Sequence, residues 1–129
     1  MDQDVQPAKA LNGTLKLPAD KSISHRSVMF ASLHDGLSTI QNFSEAADPH
    51  STIACMRRLG VEIRELDDAE HTIKVEGVGR DGLQDPSEDL YCGNSGTTMR
   101  LLSGIVAGAG VSARLTGDDS LSARTMQRI

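Results

Sequence analysis

Leu17-Pro18-Ala19-Asp20-Lys21-Ser22-Ile23-Ser24-His25-Arg26, followed by the apolar stretch Val28-Met29-Phe30-Ala31-Ser32-Leu33, decides how this chain is read. Thr14 to Leu17 has strand character and ends at Pro18. A turn follows, and the spacing predicts a helix over 22–33 with Gly36 as its breaker. A helix start offers free backbone N–H groups and the positive end of the dipole, both attractive to anions. Lys21 and Arg26 add full charges, Ser22 and Ser24 add hydroxyl donors, and Asp20 is placed to cap the helix. A solvated charged helix start is the bland alternative. Cations are unfavourable at a helix N-terminus unless an anion is expected there, so the segment reads as a site for a phosphate or carboxylate.

The totals narrow the function classes. A chain of 129 residues is expected to form one domain with a modest core. Thirteen Lys and Arg against eighteen Asp and Glu give a formal charge of −5, so there is no basic excess to neutralise nucleic-acid phosphates. One Tyr, two Phe and no Trp leave no stacking platform for bases. Cys55 and Cys92 form no CxxC pair and read as reduced, buried thiols of a cytoplasmic protein. His25, His34, His50 and His71 lack metal-ligand spacing, so no metal site is expected. The acidic start Met1-Asp2-Gln3-Asp4 is no signal peptide, no apolar run is long enough for a bilayer, and the two glycosylation sequons at Asn12 and Asn42 are chance matches.

Along the chain, residues 1–13 read as a loose N-terminal segment. Strands are expected at 14–17 and 39–42. A second helix is expected with Asp48 or Ser51 as its cap, Ile53, Met56 and Leu59 on one face, and Gly60 as its stop. Residues 61–66 and 71–75 alternate around the Asp67-Asp68 turn and predict a hairpin. After a polar loop over 81–89, Leu90-Tyr91-Cys92 leads into Gly93-Asn94-Ser95-Gly96-Thr97-Thr98-Met99-Arg100 and the apolar run 101–107, which Gly108 and Gly110 stop. A strand over 111–116 and a turn over 117–120 complete the pattern. The order strand, helix, strand, helix, hairpin then begins again, so the fold class is α/β with a repeated βαβαββ unit.

Three clusters carry chemistry. The first is Lys21, Ser22 and Arg26. The second runs from Asn94 to Arg100, where Gly93 and Gly96 let backbone approach a ligand and Ser95, Thr97 and Thr98 supply hydroxyls. It lacks the Gly-Lys-Ser/Thr ending of a P-loop. The third is Asp118-Asp119-Ser120-Leu121-Ser122-Ala123-Arg124, in which the guanidinium of Arg124 suits carboxylate or phosphate. Gly77-Val78-Gly79-Arg80-Asp81-Gly82 matches GxGxxG, but the loop residues 84–89 follow where a dinucleotide site needs a helix. No Ser–His–acid arrangement is present. His25 reads as a packing or polar helix residue, and Glu45 and Asp48 are unremarkable by spacing.

Leu17 to Arg26, Gly93 to Arg100 and Gly117 to Arg124, in this order and at these separations, resemble the 5-enolpyruvylshikimate-3-phosphate synthases of the enolpyruvyl transferase family, from about residue 11 to the last residue. Lys21-Ser22 favours this branch over the UDP-N-acetylglucosamine enolpyruvyl transferases, where Lys-Asn is expected. The resemblance implies the family's inside-out α/β barrel, with two domains of three βαβαββ units each and an active site in the cleft between them. It implies transfer of enolpyruvyl from phosphoenolpyruvate to the 5-hydroxyl of shikimate 3-phosphate, by protonation of the methylene carbon, addition of the hydroxyl and loss of phosphate. No metal or organic cofactor is implied. By matching position, Lys21 and Arg124 are the catalytic candidates and both contact phosphoenolpyruvate. Ser22 and Arg26 hold shikimate 3-phosphate, and Asn94, Ser95 and Gly96 border the phosphoenolpyruvate pocket. Glyphosate is expected to compete there, with Gly96 leaving it room.

Three departures stand out: Ala19 where the family often has glycine, Leu101 where one branch has proline, and Thr125 where proline usually follows the arginine. The resemblance also implies that residues 14–129 are part of a first domain, one βαβαββ unit and most of a second. The chain is thus expected to be an N-terminal fragment, inactive alone, whose partner is the remainder of the synthase. A non-catalytic module for anions or sugar phosphates, derived from the same fold, is the alternative reading, and a truncated paralogue without ligand is a third.

Overall fold

The computed structural model describes residues 3–4, 6–7 and 9–127. Residues 11–20 lie in extended, exposed chain, and the first regular element is helix α1, Lys21–Leu33. The strand expected at 14–17 does not form. Its residues have no partner strand among the described residues, and Leu15 and Leu17 stay 87% and 72% exposed. An isolated strand leaves its backbone groups unpaired, so this sequence stays irregular where nothing pairs with it. Ala19 is not among the positive-φ residues, so alanine meets no backbone strain there.

Helix α1 opens as the sequence predicts, with the Asp20 carboxylate accepting from Ile23 N at 2.7 Å. It ends at Leu33, as expected, but Gly36 is not what breaks it. Gly36 falls instead inside strand β1, Asp35–Ile40, which starts four residues before the expected 39–42. Pairing decides this. Each residue of β1 faces one of β3, Ile73–Val78, in an antiparallel register from Asp35 opposite Val78 to Ile40 opposite Ile73. Beyond it, Asn42 turns the chain with φ 54°.

Helix α2 spans Ala47–Arg58 and carries Ile53, Met56 and Leu59 into the core, as the pattern requires. Its N-cap is Ala46, without a side-chain bond. Neither Asp48 nor Ser51 caps it. Both lie inside the helix, where the Ser51 hydroxyl donates back to Ala47 O at 3.3 Å. At the other end Arg57 donates to Ile63 O at 2.7 and 3.0 Å and pairs with Glu65, tying α2 to strand β2, Glu62–Glu65. Strands β2 and β3 form the expected antiparallel hairpin, and β3 is the centre of a three-stranded sheet of order β1-β3-β2. Ile73, Val75 and Gly77 face inward against the helices, while Glu62, Arg64, Lys74 and Glu76 surround Leu37 on the outer face. Gly77 cannot be replaced: a Cβ there would stand 2.1 Å from Ala31 O and 2.2 Å from His34 O, because the end of α1 lies directly on the strand.

After a 3-10 turn at Arg80–Gly82, where a dinucleotide-binding helix would have to start, the second unit begins. Strand β4, Leu90–Tyr91, leads through helix α3, Gly96–Ala109, to β5, Leu115–Thr116, which pairs with β4 in parallel. Gly108 stays helical, and Gly110 alone stops α3, as a left-handed C-cap. The strand expected over 111–116 is confined to its last two residues. The short helix α4, Asp119–Ser122, follows. One core joins both units: Val28 and Met29 of α1, Met56 of α2, Val75 of β3, Leu90 of β4, Leu102 of α3 and Leu121 of α4. Cys55 and Cys92 are buried free thiols with no disulfide between them, as expected. The hydrogen bond with Cys55, and then burial, push the Cys92 thiol far above its ordinary range.

His25 is buried on α1, and loss of solvent lowers its pKa despite the nearby Asp48 carboxylate. The unfolded chain therefore binds a proton near the ordinary value of 6.5 that the folded chain refuses, so stability falls as pH drops through that value. In denaturant titrations between about pH 7.5 and 5.5, unfolding free energy is expected to decline by up to about 1.4 kcal/mol per pH unit, the limit for one proton. His25→Asn is expected to flatten that slope, and an unchanged slope would assign it to other groups.

Candidate anion-binding site

Of the three clusters read from sequence, Lys21 of the first and the whole of the second and third gather at one end of the helices. Lys21 is the first residue of α1, and its Nζ donates to Asp48 Oδ2 at 2.8 Å across to the first turn of α2. The carbonyl of the same Asp48 lies 3.4 Å from Thr98 Oγ1 in the first turn of α3. Three helix N-termini thus converge, and their dipoles point positive ends at a common region. The sequence offers Asp48 only as a helix cap, because its spacing carries no further signal. Its partner Lys21 lies 27 residues away, and only the packing of α1 on α2 joins them.

The start of α3 is built around Ser95, whose Oγ accepts from Thr98 N at 3.1 Å as the N-cap. Ahead of it Gly93, at φ 59°, makes the turn that the sequence leads one to expect of a glycine. Gly96 follows the cap. A Cβ on Gly96 would lie 2.8 Å from Arg100 Nη1 and 3.6 Å from Arg124 Nη1, so glycine is what lets two guanidiniums reach the same helix end. Arg100 is half-buried, donates through Nη2 to Thr125 O at 3.2 Å, and has no partner at Nε among the described residues. Since proline also carries a carbonyl, this bond does not depend on Thr125 standing where the family usually has proline.

Arg124 is oriented by Asn94. Its Nη2 donates to Asn94 Oδ1 at 2.6 Å and its Nη1 to Asn94 O at 3.3 Å. Asn94 in turn donates through Nδ2 to Asp118 Oδ2 at 2.7 Å, while Asp118 Oδ1 accepts from Leu121 N and caps α4. The Asn94 side chain, then the Leu121 amide, with Arg124 nearby, hold the Asp118 carboxyl below its usual range. Asp118 is therefore an ionised strut under Asn94 and Arg124.

Ser22 and Arg26 remain apart from this assembly. Both are exposed on α1, and Arg26 Nε donates to Ser22 O at 3.2 Å within the helix. Ser24, a further hydroxyl donor in the sequence pattern, is structural: it donates to Asp20 O at 2.8 Å and accepts from Ser44 N at 3.0 Å, fastening the 41–46 loop to α1. The described residues contain no group of His, Cys, Asp and Glu able to hold a metal ion. No described helix is long and apolar enough to cross a membrane.

Comparison with known proteins gives one answer. The profile of the family described as EPSP synthase (3-phosphoshikimate 1-carboxyvinyltransferase) matches residues 5–129. The 3-phosphoshikimate 1-carboxyvinyltransferase of Salinibacter ruber is 52% identical over 129 residues, and that of Thermodesulfovibrio yellowstonii 53% identical over 129 residues. Each alignment takes in 100% of this chain and 30% of the relative, so the chain spans about a third of their length. An EPSP synthase structure from Acinetobacter baumannii superposes with a TM-score of 0.76 at 41% identity, over 90% of this chain and 26% of that one. The incomplete α/β fold, the three motifs and these matches agree: the chain belongs to the EPSP synthase family of transferases.

Proposed function

We propose that this chain supplies the phosphoenolpyruvate-facing half of an active site that transfers enolpyruvyl to the 5-hydroxyl of shikimate 3-phosphate, a step towards chorismate and the aromatic amino acids. The observation that carries this reading is the packing of three helix starts, with Lys21 at the first, bridged to the second through Asp48, and the guanidiniums of Arg100 and Arg124 drawn up to Gly96 at the third. Phosphoenolpyruvate brings a phosphate and a carboxylate, and fixed donors aimed at both act without reorganising during reaction. Lys21, bridged to Asp48 at 2.8 Å, carries a proton at this end and has a charged partner, which suits it to proton transfer near the reacting hydroxyl. Asn94, Ser95 and Gly96 border the pocket, and Arg124 grips phosphoenolpyruvate with its fork directed by Asn94. Ser22 and Arg26, exposed at the outer side of the same helix start, hold shikimate 3-phosphate.

On this reading the route needs no metal or organic cofactor. Residues 14–129 are part of the first domain, residues 1–13 precede it, and the remainder of the synthase is the partner that completes the cleft. Glyphosate, a small dianion, competes for the region that Gly96 leaves open. Buried thiols at Cys55 and Cys92 suit the cytoplasm.

The direct test is a phosphorus NMR titration of this chain with both substrates. Shifted or broadened phosphoenolpyruvate signals without inorganic phosphate are expected of a half-site, release of phosphate would show a complete one, and unchanged signals would sink the reading. In a complete enzyme containing this segment, Lys21→Met should lower kcat by about a hundredfold or more, the scale of general acid–base catalysis, with little change in Tm. Near-normal turnover would remove Lys21 from the chemistry. Arg124→Ala should raise the Kd of phosphoenolpyruvate by about tenfold or more, as loss of a charge-assisted contact does, and leave shikimate 3-phosphate nearly unaffected. Equal losses for both substrates would contradict the assignment.

A further inference from the structure

A file of buried polar side chains runs through the three helices behind the site. His25 Nδ1 lies 2.7 Å from Thr52 Oγ1, which lies 2.9 Å from Thr98 Oγ1, which lies 2.8 Å from Ser95 Oγ. His25 and Ser95 are 1% exposed, and Thr52 and Thr98 0%. Its inner end, His25 Nε2, is buried without a partner among the described residues.

That orphan sets the order of the protons. Burial, outweighing the attraction of Asp48, keeps the imidazole neutral, with one N–H and one lone pair. Buried N–H groups left without an acceptor are the rarest defects in folded proteins, so the bare position carries the lone pair and the proton sits on Nδ1. The rest follows in sequence. Nδ1–H donates to Thr52, the Thr52 hydroxyl donates to Thr98, and the Thr98 hydroxyl donates to Ser95. The competing acceptor, Asp48 O, is longer at 3.4 Å. Ser95 Oγ then accepts twice, from the hydroxyl of Thr98 and from its backbone N–H at 3.1 Å, and both lone pairs are used. Only its own proton remains to be given.

Resting on the anion-site reading above, we propose that His25, Thr52 and Thr98 are positioning residues that make the Ser95 hydroxyl a fixed donor for an anion at the start of α3. Reversal of the imidazole would reverse the file. With the proton on Nε2, Ser95 would spend its proton on Thr98 and meet the anion with a lone pair.

Two measurements on this chain test the proposal. The first is the nitrogen-15 spectrum of the His25 ring. The Nδ1–H tautomer is expected, and the Nε2–H tautomer overturns the proposal whatever binds. The second is titration with inorganic phosphate, read from the Gly96 and Thr97 amide signals. Thr52→Val, which keeps the shape but breaks the file, should weaken phosphate by about tenfold, the loss of one hydrogen bond to a charge, while Thr52→Ser should stay within about twofold of wild type. Equal affinity in Thr52→Val and wild type, with both folded, would reduce the file to a satisfied core and overturn the positioning role. Should Thr52→Val fail to fold, Ser95→Gly decides, since glycine is nearly as good an N-cap and removes only the hydroxyl. Unweakened binding there overturns the proposal, and a loss of about tenfold supports it. A wild-type chain that binds no phosphate would overturn the anion-site reading and with it the donor role of Ser95, while the ring spectrum would still report the proton order.

Discussion

The structure around the site depends on one carboxylate. Three helices start within reach of one another, and each brings the positive end of its dipole. Lys21 adds a charge to the first and Arg100 and Arg124 add charges to the third. Left alone, such an assembly repels itself. Asp48 sits in the first turn of the middle helix, where a negative charge is favoured by the dipole, and takes Lys21 at 2.8 Å. Its backbone carbonyl faces Thr98 of the third helix. One residue therefore offsets part of the positive charge and ties its neighbours together, which explains why α2 manages without a capping side chain. A carboxylate spent on an ordinary cap would not reach Lys21.

Close backbone approach is the second constraint. Gly77 admits the end of α1 onto the central strand, and that contact fixes the direction in which α1 points its start. Gly96 keeps a side chain out of the space where two guanidiniums converge. The two glycines act at opposite ends of the helical layer. Neither requires a left-handed backbone, so the need for glycine at both is steric and comes from tertiary packing.

What the sequence made legible follows from what is local. The Asp20 cap, the apolar face Ile53-Met56-Leu59 and the hairpin of β2 and β3 each depend on residues within a few positions, and each formed as read. Elements that depend on a partner strand did not. Thr14 to Leu17 has strand composition and no strand beside it. β1 begins at Asp35 because β3 offers a register that far, whatever Gly36 prefers. The site shows the same division. Its three motifs were visible, but Asp48, the half-buried Arg100 and the roles of Thr52 and His25 arise from contacts spanning 25 to 50 residues. No periodicity carries that information.

The pair Lys21–Asp48 has a consequence for how a substrate would enter. Lys21 keeps about half of its side-chain surface in solvent and Asp48 less than a third, so the bond is strong enough to order the lysine and open enough to be exchanged. A phosphate or carboxylate arriving at the α3 start approaches Asp48 as a like charge. Its favourable route is to take over the ammonium from the solvent side while Asp48 keeps a share, which leaves Lys21 bridging two anions. The geometry that ties the helix starts together therefore also holds the lysine where an arriving anion meets it.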